Sequence, residues 1–169
     1  MLTIVLRIVH ILCGALWVGF AVFAGLILMP SLQEAGPAGG KVMGALQSRG
    51  VATIPPVLAL ATLVSGVWLY WRLTAGFQAS AVTGAVGATY GVGGLLAIGA
   101  FVLGMTMLRP AMLRAGELAR RLGEVTNEAE KAEMAAELGR VRARGATGGK
   151  FVALLLIIAT TTMAIARYL

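Results

Sequence analysis

The chain has 169 residues, of which 59% are hydrophobic and only 12% are charged. Soluble domains carry roughly 25% charged residues, so this composition excludes an ordinary soluble domain and indicates an integral membrane protein. The formal net charge of +7 reflects basic residues in two loops, so we attribute it to membrane topology and expect no nucleic-acid binding.

Four apolar stretches are long enough to cross a bilayer, whose hydrocarbon core of about 30 Å requires roughly 20 residues of helix. They cover residues 2–29, 54–73, 82–108 and 151–168. Because the bilayer core offers no water to backbone groups, each stretch should be helical. We therefore predict an all-α fold, a four-helix transmembrane bundle in which 1–169 form one membrane domain.

The first stretch could also be read as a cleaved signal peptide. Its apolar part is longer than that of a signal peptide, and no basic cluster precedes it. We therefore expect it to remain as a span of the folded protein.

This first span contains the single histidine, His10, and the single cysteine, Cys13. With Arg7 they lie within about 120° of one another on a helical wheel. Ionisable groups inside a membrane are costly and usually face the bundle interior. An imidazole can ligate haem iron, copper or zinc, and a thiolate adds affinity for Cu(I). The alternative is a histidine that hydrogen-bonds a neighbouring carbonyl and holds the bundle together.

Prolines mark the expected helix boundaries. Pro30 and Pro110 follow the ends of the first and third spans. Pro55 and Pro56 lie in the first turn of the second span, where a missing N–H leaves no helical bond unmade. Between the first and second spans, residues 37–50 predict a short interfacial helix.

The third span is rich in glycine. Gly87 and Gly91 form a pair of small residues one helical turn apart, which allows helices to approach closely in a membrane. No strand precedes these glycines, so they do not indicate a nucleotide-binding loop.

The long loop 111–145 predicts two amphipathic helices, with Asn127 and Glu130 capping the second. Their apolar stripes consist of Leu118, Leu122 and Val125 and of Met134, Leu138 and Val141. We expect a cytoplasmic helical hairpin that rests on the membrane surface. A docking site for a partner is the alternative.

The basic residues are distributed unevenly. Two lie between the first and second spans and nine lie between Arg109 and Lys150, which together make 11 of the 14. Three lie towards the other side: Arg7, Arg72 and Arg167. The positive-inside rule places both basic loops in the cytoplasm and both termini outside. We predict a multi-pass protein of the bacterial inner membrane.

An internal repeat is visible in the sequence. Residues 14–36 align with 94–116 at an offset of 80, which pairs Gly14 with Gly94 and Pro30 with Pro110. The second and fourth spans align at an offset of 95. These matches predict two duplicated helical hairpins related by an axis along the membrane normal.

The repeat places Tyr90 at the depth of His10, and we predict that the two side chains line a pocket on the outer side. The cofactor-binding candidates are His10, Tyr90, Arg7, Arg72, Arg167 and Trp68. The metal-ligand candidates are His10, Cys13 and Met163. The arginines could hold an anionic group such as a propionate at the pocket mouth, or they could reach lipid phosphates. A buried tyrosine could equally be a packed aromatic.

No catalytic set is visible. Aspartate is absent, no glutamate lies within a predicted span, and no HExxH or CxxC motif occurs. Whether the protein is an enzyme is left open by the sequence.

The stretch HILCGALWVGFAVFAGLILMP, residues 10–30, resembles the first helix of a superfamily of small bacterial membrane proteins that includes the copper-resistance D proteins and the HemJ-type protoporphyrinogen oxidases. His10 matches the motif histidine, and Trp17 and Gly19 match its W-[VL]-G tripeptide. The resemblance implies a four-helix bundle, with haem or copper chemistry in some members. This sequence departs from the pattern because it has no second histidine, and Tyr90 stands where the repeat would place one.

The sequence is therefore compatible with two functions. The first is a redox or metal-handling membrane protein that binds haem b or a copper ion through His10. The second is a cofactor-free structural or assembly subunit that contacts lipid and forms a homo-oligomer or a larger membrane complex.

Overall fold

The computed structural model describes the backbone of residues 1–169 and every side chain except that of residue 37. The described residues form helices and connecting turns, with no strand among them. The helices are α1 (Leu2–Phe23), α2 (Met29–Glu34), α3 (Pro37–Ser48), α4 (Ile54–Leu73), α5 (Ala79–Thr83), α6 (Ala85–Leu103), α7 (Arg109–Leu122) and α8 (Glu128–Ala166).

Two π-helical segments of five residues interrupt these helices. The first π segment, Ala24–Leu28, joins α1 to α2, and the second π segment, Gly104–Leu108, joins α6 to α7. Each π segment lies two residues before a proline, Pro30 or Pro110.

Four helical stretches are apolar enough and long enough to cross a membrane. The first span is Leu2–Glu34, the second is Ile54–Leu73, the third is Ala85–Leu122 and the fourth is Glu128–Ala166. The prediction of an all-helical chain with four such helices is confirmed, and the second has the predicted bounds. Many large apolar side chains on their outer faces are exposed, as expected where helices contact lipid.

The first and third spans continue past the prolines that were expected to follow their ends. A proline ring clashes with the carbonyl four residues earlier in an α-helix and has no N–H to donate. In the π segments the hydrogen bonds run five residues back, from Met29 N–H to Ala24 O and from Arg109 N–H to Gly104 O. This wider turn accommodates the ring, so the helix continues.

The four spans form a bundle in which each packs against two neighbours. The first packs mainly on the second, and the third packs mainly on the fourth, while the second also contacts the third and the fourth contacts the first. The first and third spans are therefore across the bundle from each other. The buried core is built mostly from small side chains around Trp17 and Leu156, namely Ala59, Ala97, Ala100, Val152 and Ala159.

The end of the third span and the start of the fourth fold as a helical hairpin made by α7 and the start of α8. Its separate apolar core is formed by Leu118, Met134 and Leu138, with the other members of the two predicted stripes, Leu122, Val125 and Val141, packed against it. The Asn127 side chain accepts hydrogen bonds from Ala129 N–H and Glu130 N–H, which confirms Asn127 as the predicted N-cap. Helix α3 also forms within the predicted range 37–50.

The arms of this hairpin are continuous with the spans. Helix α8 has 39 residues and is therefore about 58 Å long, roughly twice the thickness of a hydrocarbon core. It must extend well beyond the bilayer. We call the end of the bundle from which α7 and α8 extend the hairpin end.

A close helix contact explains why α8 does not break at its glycines. Gly148 and Gly149 are buried, and a Cβ added at Gly25 would lie only 3.0 Å from the carbonyl oxygen of Gly149. Glycine costs a helix up to about 1 kcal/mol relative to alanine, and the packing of the first π segment on α8 offsets that cost.

Candidate functional site

The imidazole of His10 lies against the second span. Its Nδ1 is 2.8 Å from the backbone carbonyl oxygen of Thr62 and 3.4 Å from the hydroxyl oxygen of Ser65. Because a carbonyl can only accept, Nδ1 carries the proton and donates it to Thr62. This geometry is that of the second alternative from the sequence, a histidine that hydrogen-bonds a neighbouring carbonyl and holds the bundle together.

The second span leaves this ring both a carbonyl acceptor and space. The hydroxyls of Thr62 and Ser65 turn back onto their own helix, donating to Leu58 O at 2.7 Å and to Ala61 O at 2.6 Å. One turn further, Gly66 has no side chain, and an added Cβ would lie 2.8 Å from Cε1 of His10. Only glycine leaves room for the ring at this position.

A second polar contact connects the second span to the third. The hydroxyl of Tyr70 donates to the carbonyl oxygen of Gly87 at 3.1 Å. A Cβ added at Gly91 would lie 3.0 Å from that hydroxyl. The predicted Gly87 and Gly91 pair thus accommodates a tyrosine side chain, while the close approach to α8 is made at Gly93, where an added Cβ would be 3.1 Å from Ala159 O.

The predicted pairing of His10 with Tyr90 is not what the structure shows. Both hydrogen bonds of His10 go to the second span, and none joins it to Tyr90 among the described side chains. The physical reason is the order of the helices around the bundle. The repeat predicts equal depth for the two residues, but their spans lie across the bundle from each other.

The remaining candidates of the outer-side pocket are spread over the surface. Arg7, Arg72 and Arg167 are exposed, and Arg167 lies over the ring of Tyr168 at 5.0 Å from its centroid. Trp68 is 40% exposed and packs against Trp71, with ring centroids 5.3 Å apart. Among the described side chains, no hydrogen bond joins these guanidinium groups to His10.

The metal-ligand candidates do not form a ligand set. Cys13 is a free, half-buried thiol, and Met163 packs over Gly93, with Cγ 2.9 Å from an added Cβ there. Within the described part of the chain, no group of three or more His, Cys, Asp or Glu side chains could hold a metal ion. A copper or zinc centre within one copy of this chain does not fit these residues.

Two cavities of the bundle do not coincide with the pocket predicted around His10. A groove between α1 and α4 at the end opposite the hairpin end is lined by apolar side chains such as Leu6, Val67 and Trp68. A second cavity lies in the other half of the bundle. Neither of the two includes His10 or Tyr90.

Sequence reasoning missed the residues that receive His10, and a signal for them was present. Thr62, Ser65 and Gly66 occur at i, i+3 and i+4 in an otherwise apolar helix, so they share one face. Tyr70 was not singled out from the sequence.

Chemically, this arrangement can join helices, because the His10 and Tyr70 side chains both bond to the backbone of a neighbouring span. In the described part of the chain, no buried side-chain nitrogen or oxygen lacks a hydrogen-bond partner. The buried polar side-chain groups inside the spans are thus used for contacts within the bundle. No family model, curated protein or solved structure matches this chain.

Proposed function

We propose that this chain is a cofactor-free structural or assembly subunit of a membrane complex, and that His10 acts in it as an interhelical hydrogen-bond donor. The observation that supports the proposal is which acceptors the polar side chains inside the bundle bond to. His10 and Tyr70, which reach from one span to another within the apolar part of the bundle, both donate to backbone carbonyls of the neighbouring helix.

Energetics favour such a role for a lone histidine in lipid. Interhelical hydrogen bonds in membranes contribute on average about 0.6 kcal/mol and at most about 1.7 kcal/mol. An unpaired ring nitrogen in hydrocarbon would instead carry a desolvation cost. The bond to Thr62 therefore offsets the cost of placing His10 in the span and fixes the packing of the first span on the second.

The assembly role also uses the hairpin, which extends from the third and fourth spans. The hairpin has its own core and ion pairs on its surface, with Arg114 2.7 Å from Glu137 and Arg120 3.0 Å from Glu117. We propose that it projects into the cytoplasm of a bacterium, since 11 of the 14 basic residues lie at this side. Both termini then lie outside, and the hairpin is the surface available to a partner.

The duplication belongs to the proposal as well. The two π segments begin at Ala24 and Gly104, which are 80 residues apart, the offset at which the two halves of the sequence align. This supports an origin of the bundle in two related hairpins. The connection between the two spans is longer in the second half of the repeat than in the first. This difference then explains why only the second half extends beyond the bilayer.

An absorption spectrum and an iron and copper assay of the purified full-length protein test the proposal. The cofactor-free subunit is colourless and contains neither metal, and His10→Ala lowers its stability without changing the spectrum. A Soret band or stoichiometric metal that disappears in His10→Ala would overturn it.

One observation favours the redox alternative as the second candidate. Donation from Nδ1 to a backbone carbonyl leaves Nε2 as the free ring nitrogen, which is the arrangement found in most metal-ligating histidines. Nε2 has no partner among the described residues and is not fully buried. Haem b bound at Nε2, as the resemblance to the copper-resistance D and HemJ-type proteins implies, would need a second ligand from outside this chain.

A further inference from the structure

A cavity of about 90 Å³ lies between the four spans near the hairpin end. The two π segments contribute Ala24 and Gly104 to its wall, and the second and fourth spans contribute Pro55 and Val152. Nearly all lining atoms are apolar. The single charged residue at its edge is Arg109, the first residue of α7.

The π segments explain why the bundle is open here. On one side, the first π segment is in backbone contact with α8 at Gly25 and Gly149, so that face is closed. On the other side, a Cβ added at Gly104 would meet no atom within 4 Å. Since π segments are rare and occur frequently at functional sites, two of them in the wall of one cavity indicate a binding site rather than a packing defect.

The one charged residue in the lining of this cavity is basic. Arg109 is exposed and takes part in none of the ion pairs that the described residues form. Helix α3 brings Lys41 to the same end, where a guanidinium nitrogen of Arg142 lies 3.7 Å from a Cβ added at Gly40. The acidic residues, apart from Glu34, lie further along the hairpin.

We propose that this cavity binds the end of one hydrocarbon chain of an anionic phospholipid, with the lipid phosphate at Arg109. Pockets that enclose a whole drug-sized ligand measure about 300–1,000 Å³, so a 90 Å³ cavity admits a narrow chain and excludes a ring system. An arginine fork matches phosphate oxygens. The inference is independent of the proposed function, because either a cofactor-free or a haem-binding protein could contain this site.

Native mass spectrometry of the full-length protein in a neutral detergent tests the head group. The probes are palmitoyl-oleoyl phosphatidylglycerol and phosphatidylcholine with the same chains. We expect the anionic lipid to be retained in preference, and Arg109→Gln to weaken its binding about fivefold, which is typical of one arginine near an anionic lipid. Arg121→Gln removes the same charge further along α7 and should leave binding unchanged. Equal retention of the two lipids, or equal effects of the two substitutions, would overturn the proposal.

A second pair of variants tests whether the cavity holds a hydrocarbon chain of the lipid. Gly104→Leu places a side chain in the cavity, whereas Gly99→Leu adds the same side chain at another open position outside it. We expect the first to lose the bound phosphatidylglycerol and the second to retain it. Glycerol 3-phosphate, which has the phosphate and no chain, should not displace the lipid. Equal lipid retention by the two leucine variants, or displacement by glycerol 3-phosphate, would show that the cavity holds no chain.

Discussion

The Nδ1 of His10 donates to the backbone carbonyl oxygen of Thr62 at 2.8 Å, so the single histidine of the chain connects the first span to the second. Its ring rests on Gly66, where a side chain would overlap it. The bond and the contact together account for a polar aromatic residue in an apolar helix without any ligand. They also make separate predictions.

His10→Ala should lower the free energy of unfolding by about 1 kcal/mol, within the range measured for interhelical hydrogen bonds in membranes. Unfolding of the detergent-solubilised protein by a denaturing detergent measures the change. Ile11→Ala is the matched control, because Ile11 follows His10 directly and is 57% exposed. If His10→Ala lowered the free energy of unfolding no more than Ile11→Ala, His10 would not stabilise the bundle as proposed.

Gly66→Ala should destabilise the protein by about 1–3 kcal/mol, the usual cost of overpacking. The added methyl group would lie 2.8 Å from Cε1 of His10. In a His10→Ala background the ring is gone, so the same substitution should cost little. A double-mutant cycle measures this coupling, and additive effects would contradict the contact.

Tyr70→Phe should cost about 0.6 kcal/mol, because it removes the donor to Gly87 O and keeps the ring beside Phe77. Tyr90→Phe is the control. Its phenol makes no hydrogen bond with any side chain or backbone group that the structure describes, so no change is expected. If Tyr90→Phe were the costlier substitution, the helix order around the bundle would have to be revised.

The difference between the two tyrosines shows what the sequence could and could not predict. Hydrophobic length located all four spans, and the second span, 54–73, has the observed bounds because Pro55 and Pro56 mark its start. The internal alignment predicted the depth of Tyr90 relative to His10. It could not predict which spans are neighbours, because that depends on how all four helices pack.

The helix ends were mispredicted for a local reason. Pro30 and Pro110 usually indicate a helix end, but a π segment before each proline lets the helix continue. Apolar periodicity in α7 and α8 did predict the core of the hairpin, because an amphipathic pattern outside lipid specifies which face is buried.

Leu118→Ala should loosen the hairpin and leave the bundle intact. Leu118 is 1% exposed in the hairpin core, and truncating a buried leucine costs about 2–5 kcal/mol. Hydrogen exchange should become faster in 109–145 and remain unchanged in α4. Leu113→Ala, at a residue that is 51% exposed in the same helix, should have little effect. Faster exchange in α4 would mean that the two cores are not independent.

The most direct test of the central claim is the ¹⁵N spectrum of protein labelled only at histidine, since His10 is the single histidine. The account predicts a proton on Nδ1 and no shift caused by a bound metal. A proton on Nε2 with Nδ1 bare would contradict it, because Nδ1 could then not donate to the Thr62 carbonyl.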